Sequence, residues 1–411
     1  MKRIISVLLI LIMTATLVSC ADREEGDITF ESIEFNTVEA DTGDETGADT
    51  EPVVPIDPDA PTVTAKFIGA GDNITYTGTF WEALAQGYPG HEYNFAPIYT
   101  DIAPAVQAAD VAYINQECMM SGAEASPYPT FNCPREMAYD LMATGFNVIN
   151  IANNHMLDQG GWGLGETIEF LDSLDGATMI GGNRNRAEFD DIEIIEANGV
   201  KIALLSYCEM TNIGLGKDYD IWIPYLDKDD IKKHCDSVRD KCDFILCSVH
   251  WGDEQWYGNM RYEPTDAQKE WAKYMADCGV DAIIGTHPHV IEPIEWIDAS
   301  DGRRVLCAYS LGNFMAMQAN YFNMLGGLLS FNINKKGTGH ATISDVLFTP
   351  TVYYYAQSWY GSHVYYLSDF SDYLAASHGL SNYGVSISRG ELETLLNLNI
   401  DNEFLPEEFR N

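Results

Sequence analysis

The sequence predicts an α/β protein in which two β-sheets pack face to face, with helices outside and a β-rich C-terminal half. From Ala65 onward, short apolar runs alternate with amphipathic stretches whose apolar residues recur at helical spacing. The pair Asn198-Gly199, between two apolar runs, predicts a β-hairpin. After Ile291 the chain is mostly apolar runs typical of strands. Alternating strands and helices followed by a series of strands predict packed sheets with outer helices.

Each predicted element rests on an apolar run or on a capping residue. Short apolar runs predict strands at 66–70, 111–115, 146–152, 192–196, 200–207, 244–249, 280–284, 291–296, 304–309, 328–333 and 340–355. Helical spacing predicts helices at 98–109, 135–144, 164–174 and 265–278. Gly145 ends the second of these helices and Gly279 ends the fourth, which begins at a Thr265 cap. Aromatic residues between 353 and 366 fit either a core edge or an exposed stacking surface.

Acidic residues dominate the composition. The chain of 411 residues has a formal net charge of −39, and residues 21–60 hold fourteen Asp or Glu and one Arg. Like charges extend a chain and few residues there could form a core, so we expect residues 20–62 to be a disordered acidic linker. The remainder is also acidic, which argues against a nucleic-acid partner, because phosphate contacts need clustered Lys and Arg.

The first twenty residues predict a lipoprotein signal peptide. A basic start is followed by an apolar run at 4–13 that is too short to span a bilayer. Leu17-Val18-Ser19-Cys20 resembles the lipobox of bacterial lipoproteins, in which the cysteine is lipidated. We therefore expect a signal peptide at 1–19, lipidation of Cys20 and an extracytoplasmic protein anchored to the cell membrane. The alternative is an ordinary secretory signal with a chance cysteine.

Eight cysteines follow Cys20, and none has the Cys-x-x-Cys spacing of a zinc site. An even count outside the membrane permits disulfides. Cys118 and Cys133 flank one loop and are the predicted pair. The others are expected to be buried thiols.

Polar residues of a metal-binding type follow five of the predicted strands. They are the candidate ligands Asp72, Glu117, Asn154, His250, His287 and His289. Because strands of a layered α/β sheet deliver their carboxyl ends to one edge, these side chains are expected to converge. Carboxylate, amide and imidazole groups together bind Mn, Zn, Fe or Mg ions.

A metal held in this way supports hydrolysis, since it can generate hydroxide near neutral pH. His155 would protonate a leaving group or stabilise developing negative charge, and Asp72 joins it in the predicted catalytic set. Taken singly, each residue has an ordinary structural explanation, such as a turn, a helix cap or a packed ring. It is improbable that all five segments carry such residues by coincidence.

These segments resemble the bacterial capsule synthesis CapA family, the poly-γ-glutamate capsule proteins. The resemblance rests on 71–72, 115–117, 152–160, 250–252, 285–289 and 310–314, and covers roughly residues 65–320. It implies a four-layer α-β-β-α sandwich of the calcineurin-like metallophosphoesterase type at 63–335. Residues 336–411 would be a C-terminal β-rich extension packed on the same domain.

The resemblance implies that the six candidates match metal-ligand positions and that His155 matches the histidine that assists the leaving group. One position departs from the phosphoesterase pattern, because Ile74 stands where that pattern has a histidine. Glu117 also replaces the usual bridging aspartate. One metal position is therefore expected to lack a ligand.

Three functions remain open at this point. The first is a surface lipoprotein acting in biosynthesis, export or trimming of an anionic capsule polymer such as poly-γ-glutamate, through a metal-dependent hydrolase-like site. Its partners would be the polymer, the membrane and the membrane subunits of a capsule synthase. The second is a non-catalytic polymer-binding or assembly scaffold with a degenerate metal site. The third is a metallophosphoesterase acting on a phosphorylated small molecule or lipid.

Overall fold

Two β-sheets form the centre of the computed structural model, which describes residues 60–216, 219, 221–255, 258 and 261–411. The predicted signal peptide, Cys20 and nearly all of the predicted linker lie outside these residues. In chain order the strands are β1 (Thr62–Asn73), β2 (Val111–Gln116), β3 (Val148–Asn150), β4 (Thr178–Ile180), β5 (Glu193–Ala197), β6 (Val200–Cys208), β7 (Phe244–His250), β8 (Ala282–Thr286), β9 (Ile294–Asp298), β10 (Arg304–Ala308), β11 (Asn313–Met315), β12 (Leu325–Lys336), β13 (Thr342–Tyr354) and β14 (His363–Tyr366).

The strands form one sheet of eight and one of six. The first has the order β14-β13-β12-β1-β2-β3-β4, with β11 beside β1, and the second has the order β5-β6-β7-β8-β10-β9. Strands β1 to β4 run parallel to one another, as do β6, β7, β8 and β10. The carboxyl ends of each parallel set therefore meet at one edge of the sheet.

Helices cover the outer faces of the sheets. In chain order they are α1 (Thr77–Ala85), α2 (Ala103–Gln107), α3 (Glu136–Thr144), α4 (Gly160–Asp172), α5 (Arg186–Asp190), α6 (Lys228–Val238), α7 (Asp266–Cys278), α8 (Asp372–Ser377) and α9 (Arg389–Asn399). Ile231 of α6 and Met275 of α7 share a buried cluster with Ile245 and Ile283 of the second sheet. Leu141 of α3 belongs to the cluster of the first sheet. The predicted layered α/β class is confirmed.

The inner faces of the two sheets meet in an aromatic core. Phe67 of β1 stacks on Phe331 of β12 with ring centroids 4.5 Å apart, and Phe244 of β7 lies 6.4 Å from Phe331. The Tyr113 hydroxyl of β2 also hydrogen-bonds the Ser248 hydroxyl of β7 at 2.6 Å. Because burial of an aromatic side chain contributes about 2–3 kcal/mol, these contacts hold the sheets in a fixed relation.

Local signals predicted some elements well. Asn198 and Gly199 both have positive φ, as the predicted hairpin turn requires. The Thr265 side chain caps α7 by accepting a hydrogen bond from the Gln268 backbone N–H, and Gly279 ends that helix in the left-handed conformation. The predicted helix 98–109 is instead a 3-10 turn at Ala96–Tyr99 followed by the short α2.

The C-terminal segment differs in part from its β-rich prediction. It begins with the long β13 and the short β14, but from Asp372 onward its regular structure consists of α8, α9 and 3-10 turns. Tyr353, Tyr354 and Tyr355 are buried, so these aromatic residues form part of the core. No helix among the described residues has both the length and the apolar character needed to cross a membrane.

The predicted Cys118–Cys133 disulfide is wrong for this structure, in which both residues are free, buried thiols. The Cys118 sulfur instead accepts hydrogen bonds from the backbone and hydroxyl of Thr75. The loop is held by Asn132, whose side chain bonds Ser121 and the Ala123 carbonyl. These contacts close the loop without a covalent bond.

Glu292 gives the fold a predicted pH dependence. Its carboxylate is buried and accepts a hydrogen bond from Gln268 Nε2 at 2.8 Å, and burial raises its pKa from 4.5 to about 7. The folded protein therefore binds more protons than the unfolded chain between these values. The stability from this group is present below pH 4.5 and is lost as the pH rises through 7, by on the order of 3 kcal/mol at most.

We expect Glu292→Gln to reduce the loss of stability between pH 5 and pH 8, measured by denaturant unfolding at both values. The amide keeps an acceptor for Gln268 but does not ionise. Glu408→Gln is the matched control, because Glu408 is exposed. An unchanged pH dependence in Glu292→Gln would contradict this account.

Candidate metal centre

The sequence segments singled out as metal-binding meet where the carboxyl ends of both sheets come together. The first sheet supplies one half of the cluster and the second sheet the other half: Asp72, Glu117 and Asn154, then His250, His287 and His289. All six side chains are buried. A site formed in this way depends on the packing of the two sheets against each other.

Five of these residues form two groups that can each hold a metal ion. One group is Glu117, His250 and His287, and the other is Asp72, Glu117 and His289. Within each group the potential ligand atoms lie within 4.8 Å of one another. Glu117 belongs to both groups, so its carboxylate is the link between two candidate metal positions.

Asp72 is held at the end of β1 by contacts with three segments. Its Oδ1 accepts a hydrogen bond from Asn115 Nδ2 at 2.7 Å, and its Oδ2 lies 3.2 Å from His289 Nδ1. Its backbone N–H donates to Gly312 O. Burial raises its pKa, but His289 and Asn115 outweigh that effect, and the pKa lies below its ordinary value. Asp72 is therefore an ionised, oriented ligand.

The close approach of two backbones places this end of β1. A Cβ on Gly71 would lie 1.9 Å from the Gly312 carbonyl oxygen, so only glycine fits there. Gly312 itself has a φ of +70°. The segment 310–314 thus helps to position Asp72.

Within the described part of the chain, no Lys or Arg balances the charge of Glu117. Both carboxylate oxygens are buried without a hydrogen bond, and the nearest histidine nitrogens are those of His250 at 3.7 Å and His289 at 3.8 Å. Burial, with the added charge of Asp72, raises the Glu117 pKa well above its ordinary value. An uncompensated buried carboxylate is costly, and a bound cation removes that cost.

His250 is oriented by groups on both sides of its ring. Nδ1 lies 2.9 Å from Thr286 Oγ1, and Nε2 lies 3.0 Å from Asn154 Oδ1. Burial, followed by the neighbouring His287, lowers its pKa well below the ordinary value. The ring is therefore neutral at pH 7, as a metal ligand must be.

His287 and His289 occupy strained backbone positions, with φ of +104° and +59°. Burial lowers the pKa of His287 to about 3, and its Nδ1 has no hydrogen-bond partner among the described residues. For His289, Asp72 outweighs burial and raises the pKa. Strain of this kind is kept where a site requires a fixed geometry.

The donor set fits a divalent metal. Two carboxylates, three imidazoles and the Asn154 amide are ligand types of Zn, Mn, Fe and Mg. The unpartnered oxygens of Glu117 and the unpartnered nitrogen of His287 are positions that a cation would satisfy. Among the described residues, no Lys or Arg forms an ion pair with Asp72 or Glu117. The assignment of individual ligands stays a prediction.

Ile74 does not leave either group short of three donors. Its side chain is buried in the core, and Asp72, Glu117 and His289 still come together without it. The ligand expected to be missing is therefore a fourth donor, since each group still has three donors.

His155 lies beside the cluster and belongs to neither group. Its Nδ1 is 2.7 Å from Asp158 Oδ2, and the ring packs edge-on against Phe131 at 4.7 Å. His155 contributes to the lowered pKa of His250 and of His287, after the larger effects of burial and of the neighbouring histidines. This position suits a proton donor to a substrate held at the metal centre.

Four supporting residues were not singled out from the sequence. Asn115 orients Asp72, Thr286 orients His250, Asp158 orients His155, and Asn212 Nδ2 lies 3.4 Å from His155 Nδ1. The first three fall within the quoted segments, so their proximity to the candidate ligands was a usable signal. Asn212 follows β6 in a loop without a motif, and only the structure shows it.

Comparison with known proteins identifies relatives of the chain. Residues 66–318, more than half of the chain, match the family described as bacterial capsule synthesis protein PGA_cap. The "PGA biosynthesis protein CapA" of Bacillus subtilis is 30% identical over 227 residues, which are 52% of this chain and 53% of the relative. The "Capsule biosynthesis protein CapA" of Bacillus anthracis is 29% identical over 204 residues, covering 47% and 46%. The chain thus spans about half the length of these relatives.

Solved structures with a similar arrangement are more distant. The NAD nucleotidase of Haemophilus influenzae aligns with a TM-score of 0.44 and 12% identity, over 82% of this chain and 59% of that one. The calcineurin-like phosphoesterase YfkN of Bacillus subtilis aligns with a TM-score of 0.40 and 11% identity, over 82% and 99%. On the family match, which includes all six candidate ligands, the chain belongs to the bacterial capsule synthesis protein family PGA_cap.

Proposed function

We propose that this protein is a metal-dependent hydrolase that acts in biosynthesis, export or trimming of an anionic capsule polymer such as poly-γ-glutamate. The observation that carries the proposal is the pair of three-residue groups that share Glu117, with His155 beside them. Membership of the capsule synthesis family and relatives named for PGA biosynthesis and capsule biosynthesis support the choice of polymer.

A divalent metal held by Asp72, Glu117, Asn154, His250, His287 and His289 would supply Lewis acidity at the reacting carbonyl or phosphoryl group. Hydrolysis of an amide forms a bond from a water oxygen to the acyl carbon and breaks the bond from that carbon to nitrogen. The nitrogen leaves as an amine after it receives a proton. The remaining chain end is a carboxylate.

His155 is the proton donor to the leaving nitrogen in this proposal. Asp158 engages Nδ1 and Phe131 fixes the plane of the ring, so Nε2 is the nitrogen left for the substrate. The Asn212 side-chain nitrogen lies 3.4 Å from Nδ1 and 3.5 Å from Nε2, so it also contacts the ring. General acid catalysis of this type contributes about 10²–10⁴-fold to a rate.

The proposed location is the outer side of the cytoplasmic membrane. Support comes from the sequence of residues 1–20, with its basic start, apolar run and lipobox-like Cys20. A lipid on Cys20 and the acidic linker would tether the domain close to the membrane subunits of a capsule synthase. These residues lie outside the described part of the structure.

Two other functions have specific support. Ile74, in place of a histidine, removes a fourth donor from one group and favours a non-catalytic polymer-binding scaffold. A carboxylate shared between two metal positions also suits a clamp on a phosphoryl group, which favours a phosphoesterase of small molecules or lipids.

The test is to remove metal from the full-length protein with a chelator, restore Mn or Zn, and assay cleavage of poly-γ-glutamate and of a phosphoester. We expect polymer cleavage that is lost with the metal and regained on its return. Metal-dependent cleavage of the phosphoester alone would favour the phosphoesterase. Binding of polymer without cleavage of either substrate would favour the scaffold, and polymer cleavage that is unaffected by metal removal would contradict the proposal.

A further inference from the structure

A cleft of about 400 Å³ opens beside His289 at the entrance to the metal centre. Tyr76, Tyr128 and Tyr383 form much of its lining, with Glu254 and neutral amide side chains. Tyr383 comes from the C-terminal segment, so that segment contributes to the cleft. The lining is thus aromatic with one carboxylate.

The charge on the described lining of the cleft is negative. Among the described residues, Glu254 is the only carboxylate of the lining, and no Lys or Arg takes part in it. Glu254 is half-buried, and none of the hydrogen bonds or ion pairs among the described residues involves its carboxylate. Its charge reaches Tyr76, whose pKa is raised first by burial and further by Glu117 and Glu254. A free carboxylate at this entrance attracts a cation.

An aromatic wall connects the cleft to the proton donor. The Phe131 ring lies 5.6 Å from Tyr76, 6.1 Å from Tyr128 and 4.7 Å from His155, each measured between ring centroids. A substrate that rests on Tyr76 and Tyr128 is therefore next to the ring that packs on His155. The cleft and the metal centre are adjacent, because His289 belongs to both.

A carboxylate and tyrosine rings that line one cleft can bind an ammonium group, through a charge-assisted hydrogen bond and cation–π attraction. We propose that Glu254, with Tyr76 and Tyr128, binds the free amino terminus of the substrate chain, so that the enzyme acts at a chain end. This inference rests on the proposed function, since it takes the substrate to be the anionic polymer.

The chemistry of the polymer makes the chain end distinct. Each interior residue of poly-γ-glutamate carries a carboxylate and no cation, whereas the amino-terminal residue also carries an ammonium group. A cleft whose described lining has the Glu254 carboxylate and no Lys or Arg repels interior carboxylates. The acidic composition of the chain, with a net charge of −39, adds to this preference.

The test compares γ-linked triglutamate with its N-acetylated form, which lacks the ammonium group. Binding of each to the metal-loaded full-length protein is measured by calorimetry. We expect the free form to bind about tenfold more tightly and Glu254→Gln to abolish this difference. Asp253→Asn is the matched control, because Asp253 is an exposed neighbour that does not line the cleft, and it should keep the difference.

Equal binding of the two oligomers by the wild type, a preference that persists in Glu254→Gln, or binding of neither oligomer would overturn the inference. Cleavage of both oligomers is followed in parallel. A preference that depends on Glu254 without any cleavage would leave the ammonium site standing while the hydrolase proposal fails. Equal binding and equal cleavage of both forms would refute the ammonium site and leave the hydrolase proposal standing.

Discussion

Glu117→Gln is expected to remove tight metal binding and to stabilise the metal-free protein at the same time. The side chain belongs to both three-residue groups, so both candidate positions lose a charged ligand. Loss of an indirect partner of a metal ligand already costs about 10–100-fold in affinity, and loss of a shared ligand should cost more than about 100-fold. Calorimetric titration of the chelator-treated protein with Mn or Zn measures this effect.

The expected increase in stability of the metal-free protein has a cause separate from the loss of metal binding. In the metal-free protein the Glu117 carboxylate is buried next to Asp72 without a compensating cation, which raises its pKa well above the ordinary value. Glutamine has a similar shape and no charge. At a pH where Glu117 would be ionised, the gain is about 1.4 kcal/mol for each unit by which the pKa is raised.

Glu82→Gln is the matched control for both measurements. Glu82 is also buried, but it accepts a hydrogen bond from the Gly361 backbone and lies outside both groups. This variant should bind metal as the wild type does. A Glu117→Gln protein with wild-type metal affinity, or with lower metal-free stability, would contradict the role assigned to Glu117.

His155→Ala is expected to lower kcat for polymer cleavage by about 10²–10⁴-fold while metal content stays unchanged. His155 lies in neither three-residue group, so its removal takes away the proton donor and leaves the donors of the metal centre in place. Turnover and bound metal are measured on the same preparation. Loss of metal together with activity would make His155 a structural or ligand residue instead.

Asp158→Asn separates positioning from proton donation. Asp158 engages His155 Nδ1 and also accepts a hydrogen bond from the Phe131 backbone. Asparagine keeps an oxygen acceptor but removes the charge, so we expect a smaller fall in kcat with an altered pH–rate profile. A fall as large as that of His155→Ala, with an unaltered profile, would argue that Asp158 only maintains the fold.

The sequence predicted the parts of the fold that depend on local chemistry. The left-handed turn at Asn198-Gly199 and the Thr265 cap are determined by a few neighbouring residues, and both are present. Six separated side chains were expected at strand ends, and the structure brings them together because the parallel strands of each sheet share one edge. That expectation needed only the strand pattern and the residue types.

Contacts between distant segments that lie outside the strand-end pattern could not be predicted. Asn212 comes near His155 because the loop after β6 folds across the sheet edge. Cys118 bonds Thr75, a residue 43 positions away, in place of Cys133. Glu254 and Tyr383 meet in one cleft from different parts of the chain. Their spacing in the sequence carries no period or motif, so tertiary structure alone places them.

The most direct test is anomalous diffraction from crystals of the full-length protein soaked in Mn. We expect anomalous peaks within bonding distance of Glu117, one of them also near His250 and His287 and another near Asp72 and His289. Soaked crystals without a peak at Glu117, or with manganese only at surface carboxylates, would contradict the existence of this metal centre.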